Sequence, residues 1–550
     1  MKNKALLVDE RDDVVVALKA LAAGETVAVN GNTVELQENI PPKHKFAARR
    51  FEAGESVKMY GIIVGEALRG IPKGGLISTK NIVHAAADYS LTHGKRNWKQ
   101  PDTASLSELK FDGFHRKDGR VGTANYWIVV PMVFCENRNL LTMKDAFVKE
   151  LGYDRMEGYR LQVRTLAEAC RNGENENAIL AKSFKSANSI DSRSKLFPNV
   201  DGIKFLTHHL GCGGTRKDAD DLCGLLAGYI THPNVAGATV LSLGCQNAQV
   251  ETLKAEISKR DHQFEKPLFF FEQQQYSSEK RLLEDAIKHT FCGLMTADKM
   301  RRKPAPISKL TIGVECGGSD GFSGISANPA MGFCSDLLVA LGGAVVLAEF
   351  PELCGVEQDL IDRCVNREIA EKFIKIQRLY AAQVRSVGSD FAFNPSPGNI
   401  RDGLITDAMK SAGAAKKGGT SQVTDVLDYP EFVTKPGLNL LCTPGGDVES
   451  TTALAGAGAN IILFSTGLGT PTGNPVAPVV KISSNSELAR RMPDIIDIDA
   501  GGVIRGEETI QDVGERILRY CARLAGGKVT TKAMDLDQDD FIPWKRGVSL

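Results

Sequence analysis

Three cysteines of this chain each follow a β-like apolar run and lie beside glycine, a position from which a thiol could bind a metal, a cluster or a substrate. The segments are LTHHLGCGG, ATVLSLGCQN and LTIGVECGG, which carry Cys212, Cys245 and Cys316. Ligands of open α/β sheets sit outside the carboxyl ends of the strands. Three thiols that leave three strand ends are therefore predicted to meet at one point, and the glycines allow close approach to the backbone.

Thiolates are soft ligands that suit iron, zinc or iron–sulfur clusters. His208, four residues before Cys212, adds an imidazole to the same segment. Three cysteines could hold a cluster with one iron left open, and one or two cysteines with the histidine could hold a single divalent ion. The alternative is that each cysteine is a small hydrophobic residue packed under a glycine turn. The sequence leaves these alternatives open.

Two lysine-bearing segments could handle an anion or a proton. In KKGGTS, Lys417 precedes a glycine turn and the hydroxyls of Thr420 and Ser421, a combination that could bind a carboxylate or phosphate. In PPKHKFA, His44 and Lys45 could bind an anion or move protons. The alternative for each segment is an ordinary charged turn on the surface.

All nine histidines lie at or before His289, so the C-terminal part of the chain must contribute other reactive groups. The candidates there are Lys417, Glu349, Asp320 and Cys316. A site assembled from both halves of the chain would lie at a domain interface, where ligand clefts commonly occur.

The order of strands and helices that must position these residues predicts an α/β protein, with a small N-terminal all-β domain followed by two α/β domains with parallel sheets. We place the all-β domain in residues 1–90 and a polar linker in 91–110. The α/β domain with the first two glycine–cysteine segments takes 111–300, and the one with ECGGSD and KGGTS takes 301–550. Within the first domain, the run VVVALKALAAG predicts a short helix that ends at Gly24.

Composition excludes several classes of function. Lys+Arg and Asp+Glu balance at 67 each in 550 residues, which gives no electrostatic reason to expect nucleic acid or an anionic membrane as a partner. The N-terminus lacks the apolar core of a signal peptide, and no apolar run is long enough to span a bilayer, so a cytoplasmic protein is expected. In that reducing compartment the twelve cysteines are not expected to form disulfides.

A series of motifs then carries a resemblance. The segments KHKFA, YGIIVG, FHRKDGRVGTAN, LTHHLGCGGT, HPNV, LGCQ, ECGGSDGFSGISANPAMG, NPSPGN, KKGGTS and FSTGLGTPTG occur in this order. In them the chain resembles the altronate and galactarate dehydratase family over almost its whole length, apart from the linker and the polar tail. The resemblance implies that the first domain is a β-clip of the antifreeze (SAF) type. In the second β-clip turn, where family members often carry histidines, this chain has Thr79 and Lys80, so we assign that turn no role.

The resemblance implies iron-dependent dehydration of sugar acids to 2-keto-3-deoxy acids. The cofactor is expected to be Fe²⁺ or, alternatively, an iron–sulfur cluster on the three cysteines. The roles expected from it are metal binding by His208, Cys212, Cys245 and Cys316, proton transfer by His44, Lys45 and Lys417, and substrate binding by Ser319, Asp320, Thr420 and Ser421.

The motifs favour altronate as the substrate, with galactarate or another sugar acid as the alternative. The expected partner is therefore a small sugar acid, and a homodimer is also expected. Two rival interpretations are a carbohydrate-binding sensor that keeps the fold and a structural protein stabilised by zinc.

Overall fold

The computed structural model describes residues 4–91, 97–155, 157–183 and 195–550. It confirms the predicted class, because an N-terminal all-β region is followed by α/β regions with parallel sheets. Among the described helices, none is both long and apolar enough to cross a membrane.

The N-terminal region consists of nine short strands in three small antiparallel sheets, whose strand orders are β1-β2-β5-β8, β3-β4 and β6-β7-β9. The strands are β1 Ala5–Leu6, β2 Val14–Ala17, β3 Thr26–Val29, β4 Asn32–Glu35, β5 Lys45–Ala47, β6 Ser56–Met59, β7 Ile62–Ala67, β8 Leu76–Ile77 and β9 Ile82–Val83.

The helix predicted for VVVALKALAAG is wrong. Its first four residues form strand β2, which is fully buried and pairs with β1 and β5. Three consecutive valines lose side-chain freedom in a helix and pack well on a pleated sheet, so tertiary packing prevails over the apolar spacing.

The middle region is built on a four-stranded parallel sheet of order β13-β12-β14-β15. Beside it, β16 returns to pair with β10 in a three-stranded antiparallel sheet. The strands are β10 Lys110–His115, β11 Val121–Gly122, β12 Tyr126–Pro131, β13 Gly202–Phe205, β14 Val235–Ser242, β15 Leu268–Glu272 and β16 Lys303–Pro306. The helices are α1 Asn137–Glu150, α2 Glu157–Arg171, α3 Glu176–Leu180, α4 Arg216–Thr231, α5 Val250–Arg260 and α6 Glu279–Ala297.

The C-terminal region contains a seven-stranded parallel sheet of order β19-β20-β18-β17-β21-β22-β23. The strands are β17 Thr311–Cys316, β18 Ala344–Leu347, β19 Val423–Leu427, β20 Gly437–Leu441, β21 Ile461–Thr466, β22 Val479–Ser483 and β23 Ile498–Asp499. The helices are α7 Ala327–Ala340, α8 Glu357–Arg363, α9 Arg367–Ser386, α10 Pro397–Arg401, α11 Asp407–Ala414, α12 Asp447–Gly456, α13 Ser486–Arg491, α14 Gly502–Arg505, α15 Ile510–Ala525 and α16 Lys532–Asp535.

The seven-stranded sheet has a topological switch point beside β17. The chain goes from β17 to β18 on one side, whereas β21 pairs with β17 on the other side. A crevice forms at the carboxyl ends of the strands at such a point and is the usual ligand site of open α/β sheets. Helices cover these sheets, and the central strands β12, β14 and β21 are buried along their whole length, as expected for parallel sheets.

Candidate active site

The loop after β17 lies at the switch point and is fixed to the end of β21. Gly317 N donates to Ser465 O at 3.1 Å, and Gly467 N donates to Gly318 O at 3.0 Å. Gly318 has φ of +57°, which favours glycine. The ECGGSDG motif thus places its side chains at the carboxyl edge of the sheet.

A buried group of charges surrounds the thiol at the end of β17. Lys417 Nζ lies 2.9 Å from Cys316 Sγ and 2.8 Å from Glu349 Oε2. Glu352 Oε2 lies 3.3 Å from the same sulfur, and Lys410 Nζ lies 2.7 Å from Glu352 Oε1. The structure therefore brings together three of the residues predicted for the C-terminal part, and the ammonium of Lys417 contacts the thiol directly.

The carboxyl groups of this cluster differ in their protonation. Burial raises the pKa of Glu349 to about 7 and also raises that of Glu315 well above its usual range. Burial also acts on Glu352, but the ammonium groups of Lys410 and Lys417 outweigh it and lower the pKa of Glu352 to about 2. Among the described side chains, Glu315 Oε1 and Glu349 Oε1 are buried without a hydrogen-bond partner. A buried proton on Glu315 or Glu349 therefore relieves the excess of negative charge.

A carboxylate at the start of α12 completes the cluster on its more open side. An oxygen of Asp447 lies within 4.8 Å of oxygens of Glu315 and Glu349, and Asp447 is only half-buried. A Cβ on Gly317 would lie 2.1 Å from Asp447 Oδ2, so the absence of a side chain at Gly317 lets this carboxyl approach the loop closely. Burial raises the pKa of Asp447 to about 6.

The N-terminal β region docks onto the same loop through the turn before β5. Lys43 Nζ forms ion pairs with Asp320 at 3.0 Å and with Asp402 at 2.8 Å. A Cβ on Gly321 would lie 2.3 Å from Lys43 O, and one on Gly403 would lie 2.4 Å from it. Two glycines of the C-terminal region thus allow the turn to approach the backbone closely.

Lys45 lies in this interface and is completely buried. Its Nζ donates to Gly403 O at 2.6 Å. Burial lowers the pKa of Lys45 to about 7, although the charge of Asp320 opposes the shift. A large fraction of the amine is therefore uncharged near neutral pH, with a lone pair that can accept a proton. His44 is half-buried, and its Nδ1 lies 3.1 Å from Pro42 O, within its own turn.

The two predicted substrate-binding residues of the loop have different environments. Asp320 accepts hydrogen bonds from Ser484 Oγ at 2.8 Å and Asn485 Nδ2 at 3.1 Å, in addition to its ion pair with Lys43. Ser319 O accepts from Asn399 Nδ2 at 2.8 Å, but the Ser319 hydroxyl is buried and lacks a partner among the described residues. Asp320 therefore holds the interface together, whereas Ser319 retains a free hydrogen-bonding group.

The KKGGTS segment forms the predicted cradle, but a carboxylate of the protein fills it. Thr420 N and Ser421 N donate to Asp336 Oδ1 at 2.8 and 2.9 Å. Thr420 Oγ1 also donates to Asp336 and accepts from Trp98 Nε1 at 3.2 Å. Ser421 is completely buried. The backbone of this segment therefore binds α7 rather than a free anion.

A cavity of about 510 Å³ lies between the N-terminal β region, the linker and the C-terminal region. Thr420 and Trp98 line it together with four cationic side chains, Arg11, Lys99, Arg363 and Lys416, and two carboxylates, Asp9 and Asp359. Lys416 thus lines this cavity, whereas its neighbour Lys417 lies in the buried cluster.

His208, which was predicted as a metal ligand, is engaged by the backbone through its ring. Its Nε2 lies 2.8 Å from Pro131 O, and its Nδ1 accepts from Leu210 N at 3.1 Å. Both ring nitrogens are therefore used by the backbone. Burial lowers the pKa of His208 to about 4, so the ring stays neutral and links two loops.

The other predicted metal ligands lie on two different sheets. Cys212 and Cys245 are exposed and follow β13 and β14 of the four-stranded sheet, whereas Cys316 is buried at the end of β17. Within the described ranges, two groups of three or more metal-ligating atoms lie within 4.8 Å of one another, and neither contains Cys212 or Cys245. These groups are Cys316 with Glu349 and Glu352, and Glu315 with Glu349 and Asp447.

Sequence reasoning missed Glu352, Lys410 and Asp447 as members of this site. Asp447 ends the segment TPGGD, in which hydroxyl and glycine residues follow a strand, so its position carried a signal. The sequence around Glu352 and Lys410 carried no such signal, because the ion pair between them joins segments that are distant in the sequence.

Three family models match the chain. They are described as the SAF domain of altronate/galactarate dehydratase over residues 3–85, the second domain of D-galactarate dehydratase/altronate hydrolase over 113–298, and the C-terminal part of D-galactarate/altronate dehydratase over 307–549.

Curated relatives match over nearly the whole chain. An altronate dehydratase of Escherichia coli K12 is 34% identical over 98% of both chains, and one of Bacillus subtilis 168 is 31% identical over 99% of both. A galactarate dehydratase (L-threo-forming) of Escherichia coli K12 is 30% identical over 90% of this chain and 88% of its own length.

Proposed function

Because the chain belongs to the altronate/galactarate dehydratase family, we propose that it is a hydro-lyase that eliminates water from D-altronate to give 2-dehydro-3-deoxy-D-gluconate. Two relatives named altronate dehydratase align with this chain from end to end, and this supports altronate over other sugar acids. The relative named galactarate dehydratase covers less of the chain, so galactarate is the second candidate substrate.

The reaction needs three chemical contributions. A base removes the weakly acidic proton from C2, beside the carboxylate, and an acid protonates the hydroxyl that leaves C3. A positive group stabilises the enediolate that forms. The resulting enol then converts to the 2-keto acid without further help from the protein.

The observation that carries the proposal is the buried amine of Lys45 beside the ECGGSDG loop. Burial lowers its pKa to about 7, so the amine can accept a proton near neutral pH. Lys45 donates to Gly403 O through one N–H, which fixes its direction while leaving a lone pair free. After it takes the C2 proton, the resulting ammonium lies beside the developing enediolate. We assign Lys45 as the base, and His44 retains no direct role.

Asp447 is the proposed acid. It is the half-buried carboxyl of the cluster, and it lies against Gly317 on the same loop that contacts the Lys45 region. Its pKa of about 6 lets it keep a proton to higher pH than an ordinary aspartate. Lys417 is completely buried between Cys316 and Glu349, so we assign it a positioning role in which it balances the charge of the cluster.

The substrate is proposed to contact the loop between these two groups. The hydroxyl of Ser319 supports this position, because it has no partner among the described residues and buried polar atoms normally have one. The cavity beside Thr420 is the proposed path by which the anionic acid approaches, because four cationic side chains line it against two carboxylates, Asp9 and Asp359.

Iron remains a prediction, and the ligand set predicted for it does not fit. His208 uses both ring nitrogens for backbone contacts. Cys316 contacts the ammonium of Lys417, which would repel a metal cation. The assignment of His208 and Cys316 to the metal is therefore withdrawn, and no step of the reaction is derived through it. A cytoplasmic location, a homodimer and the lack of a nucleic-acid partner also stay predictions.

Turnover of several sugar acids tests the substrate. Anaerobically purified protein is incubated with D-altronate, galactarate and related aldonates, and 2-keto acid formation is measured. We expect kcat/KM to be highest for altronate. Turnover of galactarate without altronate would instead assign the second candidate substrate, and no turnover of any acid would contradict the hydro-lyase proposal.

A further inference from the structure

Three exposed cysteines lie at the carboxyl ends of three adjacent strands of the four-stranded sheet. Cys135 follows β12, Cys212 follows β13 and Cys245 follows β14, and the strand order is β13-β12-β14. Free cysteine is among the most buried residue types in proteins. Three exposed thiols at the same edge of one sheet therefore form a candidate binding site.

Hydrogen bonds between the loops hold these three positions together. Phe134 N donates to Leu210 O at 3.1 Å, which joins the loop of Cys135 to that of Cys212. Asn247 N donates to Gly211 O at 2.9 Å, which joins the loop of Cys212 to that of Cys245. Each bond lies within two residues of the cysteines that it connects.

His208 and its neighbours make this frame rigid. Asn137 Nδ2 donates to His208 O at 2.7 Å, and the His208 ring bonds to Pro131 O at the end of β12. Gly211 has φ of +103°, and a Cβ there would lie 2.2 Å from Met132 O. The histidine predicted as a ligand thus acts as a positioning residue that fixes the loops of Cys135 and Cys212 against each other.

We propose that Cys135, Cys212 and Cys245 together bind an iron–sulfur cluster, in which Cys135 takes the place that the sequence assigned to Cys316. Thiolates are the usual ligands of such clusters. Each thiol loses its proton when it binds iron. Three protein thiolates leave one iron of a four-iron cluster open to a ligand from outside the protein.

A single metal ion is the alternative occupant of the three thiols. A lone zinc ion binds each sulfur at about 2.3 Å, so its thiolates must lie close together. In the part of the chain that the structure describes, these three sulfurs are not among the groups whose ligating atoms all lie within 4.8 Å. A cluster binds each thiolate through a different iron, so it tolerates greater separation of the sulfurs.

The first test measures the composition of the full-length protein. The chain is purified anaerobically and reconstituted with ferrous iron and sulfide, and then iron, acid-labile sulfide, visible absorption and the electron paramagnetic resonance of the reduced protein are recorded. We expect about four irons and four sulfides per chain, with a cluster spectrum. Stoichiometric zinc without sulfide, or iron without sulfide, would overturn the proposal.

Variants then assign the ligands. Cys135→Ser, Cys212→Ser and Cys245→Ser should each lose at least half of the bound sulfide and change the spectrum. Cys316→Ser and the exposed Cys292→Ser are the controls and should keep wild-type content. Full sulfide content in Cys135→Ser would remove Cys135 from the site, and loss in Cys316→Ser would restore the set predicted from sequence. These readouts need no substrate, so a failure of the cluster proposal can be distinguished from a failure of the altronate proposal.

A labelling experiment on the wild-type chain tests the same ligands without depending on whether the variants fold. The reconstituted wild-type chain is treated with iodoacetamide before and after chelation of iron, and modified cysteines are identified by mass spectrometry. Cys135, Cys212 and Cys245 should react only after chelation, whereas Cys292 should react in both samples. Equal labelling of the three thiols before and after chelation would contradict the proposal.

Discussion

The ammonium of Lys417 lies 2.9 Å from the sulfur of Cys316, and both side chains are buried. The sequence predicted a metal beside this sulfur, and the structure has a lysine there instead. The lysine also contacts Glu349, so one ammonium group contacts both a thiol and a carboxyl at the carboxyl edge of the large sheet.

Replacement of Lys417 by methionine should destabilise the protein strongly. The change leaves the carboxyl group of Glu349 without its ammonium partner and leaves Glu352 with Lys410 alone, and breaking a buried ion pair costs about 3–5 kcal/mol. The free energy of unfolding in urea measures the effect. The control is Lys416→Met, at the exposed neighbouring position, which should stay within about 0.5 kcal/mol of wild type. Equal stability of the two variants would contradict the assigned role.

Replacement of Lys45 by methionine should lower kcat/KM for altronate by roughly 10²- to 10⁴-fold, the usual contribution of a general base. Because the Lys45 amine must be unprotonated and the Asp447 carboxyl protonated, the wild-type rate should rise with pH to a maximum between about pH 6 and pH 7 and then fall. The variant should lose this rise. The exposed Lys58→Met is the matched control, and a pH profile that stays unchanged in Lys45→Met would exclude Lys45 as the base.

The same lysine should make stability depend on pH. The pKa of Lys45 is about 7 in the folded protein and about 10.5 in the unfolded chain, so the unfolded chain binds more protons between these values. The penalty for burying Lys45 is therefore complete below pH 7 and disappears as the pH rises toward 10.5. Relative to Lys45→Met, the wild type should gain unfolding free energy between pH 7 and pH 10. A difference that does not vary with pH would contradict the lowered pKa.

Replacement of Gly403 by alanine should displace the turn that carries Lys45. The new Cβ would lie 2.4 Å from Lys43 O, and overpacking of this kind costs about 1–3 kcal/mol. Gly388→Ala is the control, because Gly388 also has a positive φ but nothing within 4 Å of a Cβ. Gly403→Ala should lose more activity and more thermal stability than Gly388→Ala. Equal losses would show that backbone strain alone is responsible.

Replacement of Asp447 by asparagine should lower kcat by roughly 10²-fold, because the proposed acid can no longer donate a proton. The wild-type rate should fall above its maximum between about pH 6 and pH 7, because Asp447 loses its proton, and the variant should lack that fall. Glu449→Gln changes a nearby carboxyl of the same helix and should keep the wild-type profile. If both variants kept the fall, another group would be the acid.

The sequence predicted the elements of the fold better than the contacts of the site. Parallel strands followed by glycine loops were recognised because the apolar runs and turn residues are local. The strand at Val14–Ala17 was misread as a helix because its partners, β1 and β5, are not evident from local spacing.

Site residues were predicted where the motif itself carries the chemistry. Lys45 was found, but its partner Gly403 lies in a different domain and fixes the environment that lowers its pKa. The KGGTS cradle was found, but its occupant Asp336 was not, because that residue lies on α7. Cys135 was missed because no glycine flanks it, although it also follows an apolar strand.

Turnover of D-altronate by wild type and Lys45→Met, measured side by side as 2-keto acid formation, tests the central claim most directly. The account predicts that the wild type forms the product faster from altronate than from galactarate and that the folded variant retains at most about a hundredth of the rate. A folded Lys45→Met variant with the wild-type rate would contradict the proposed site, and a wild type inactive on every sugar acid would contradict the proposed reaction.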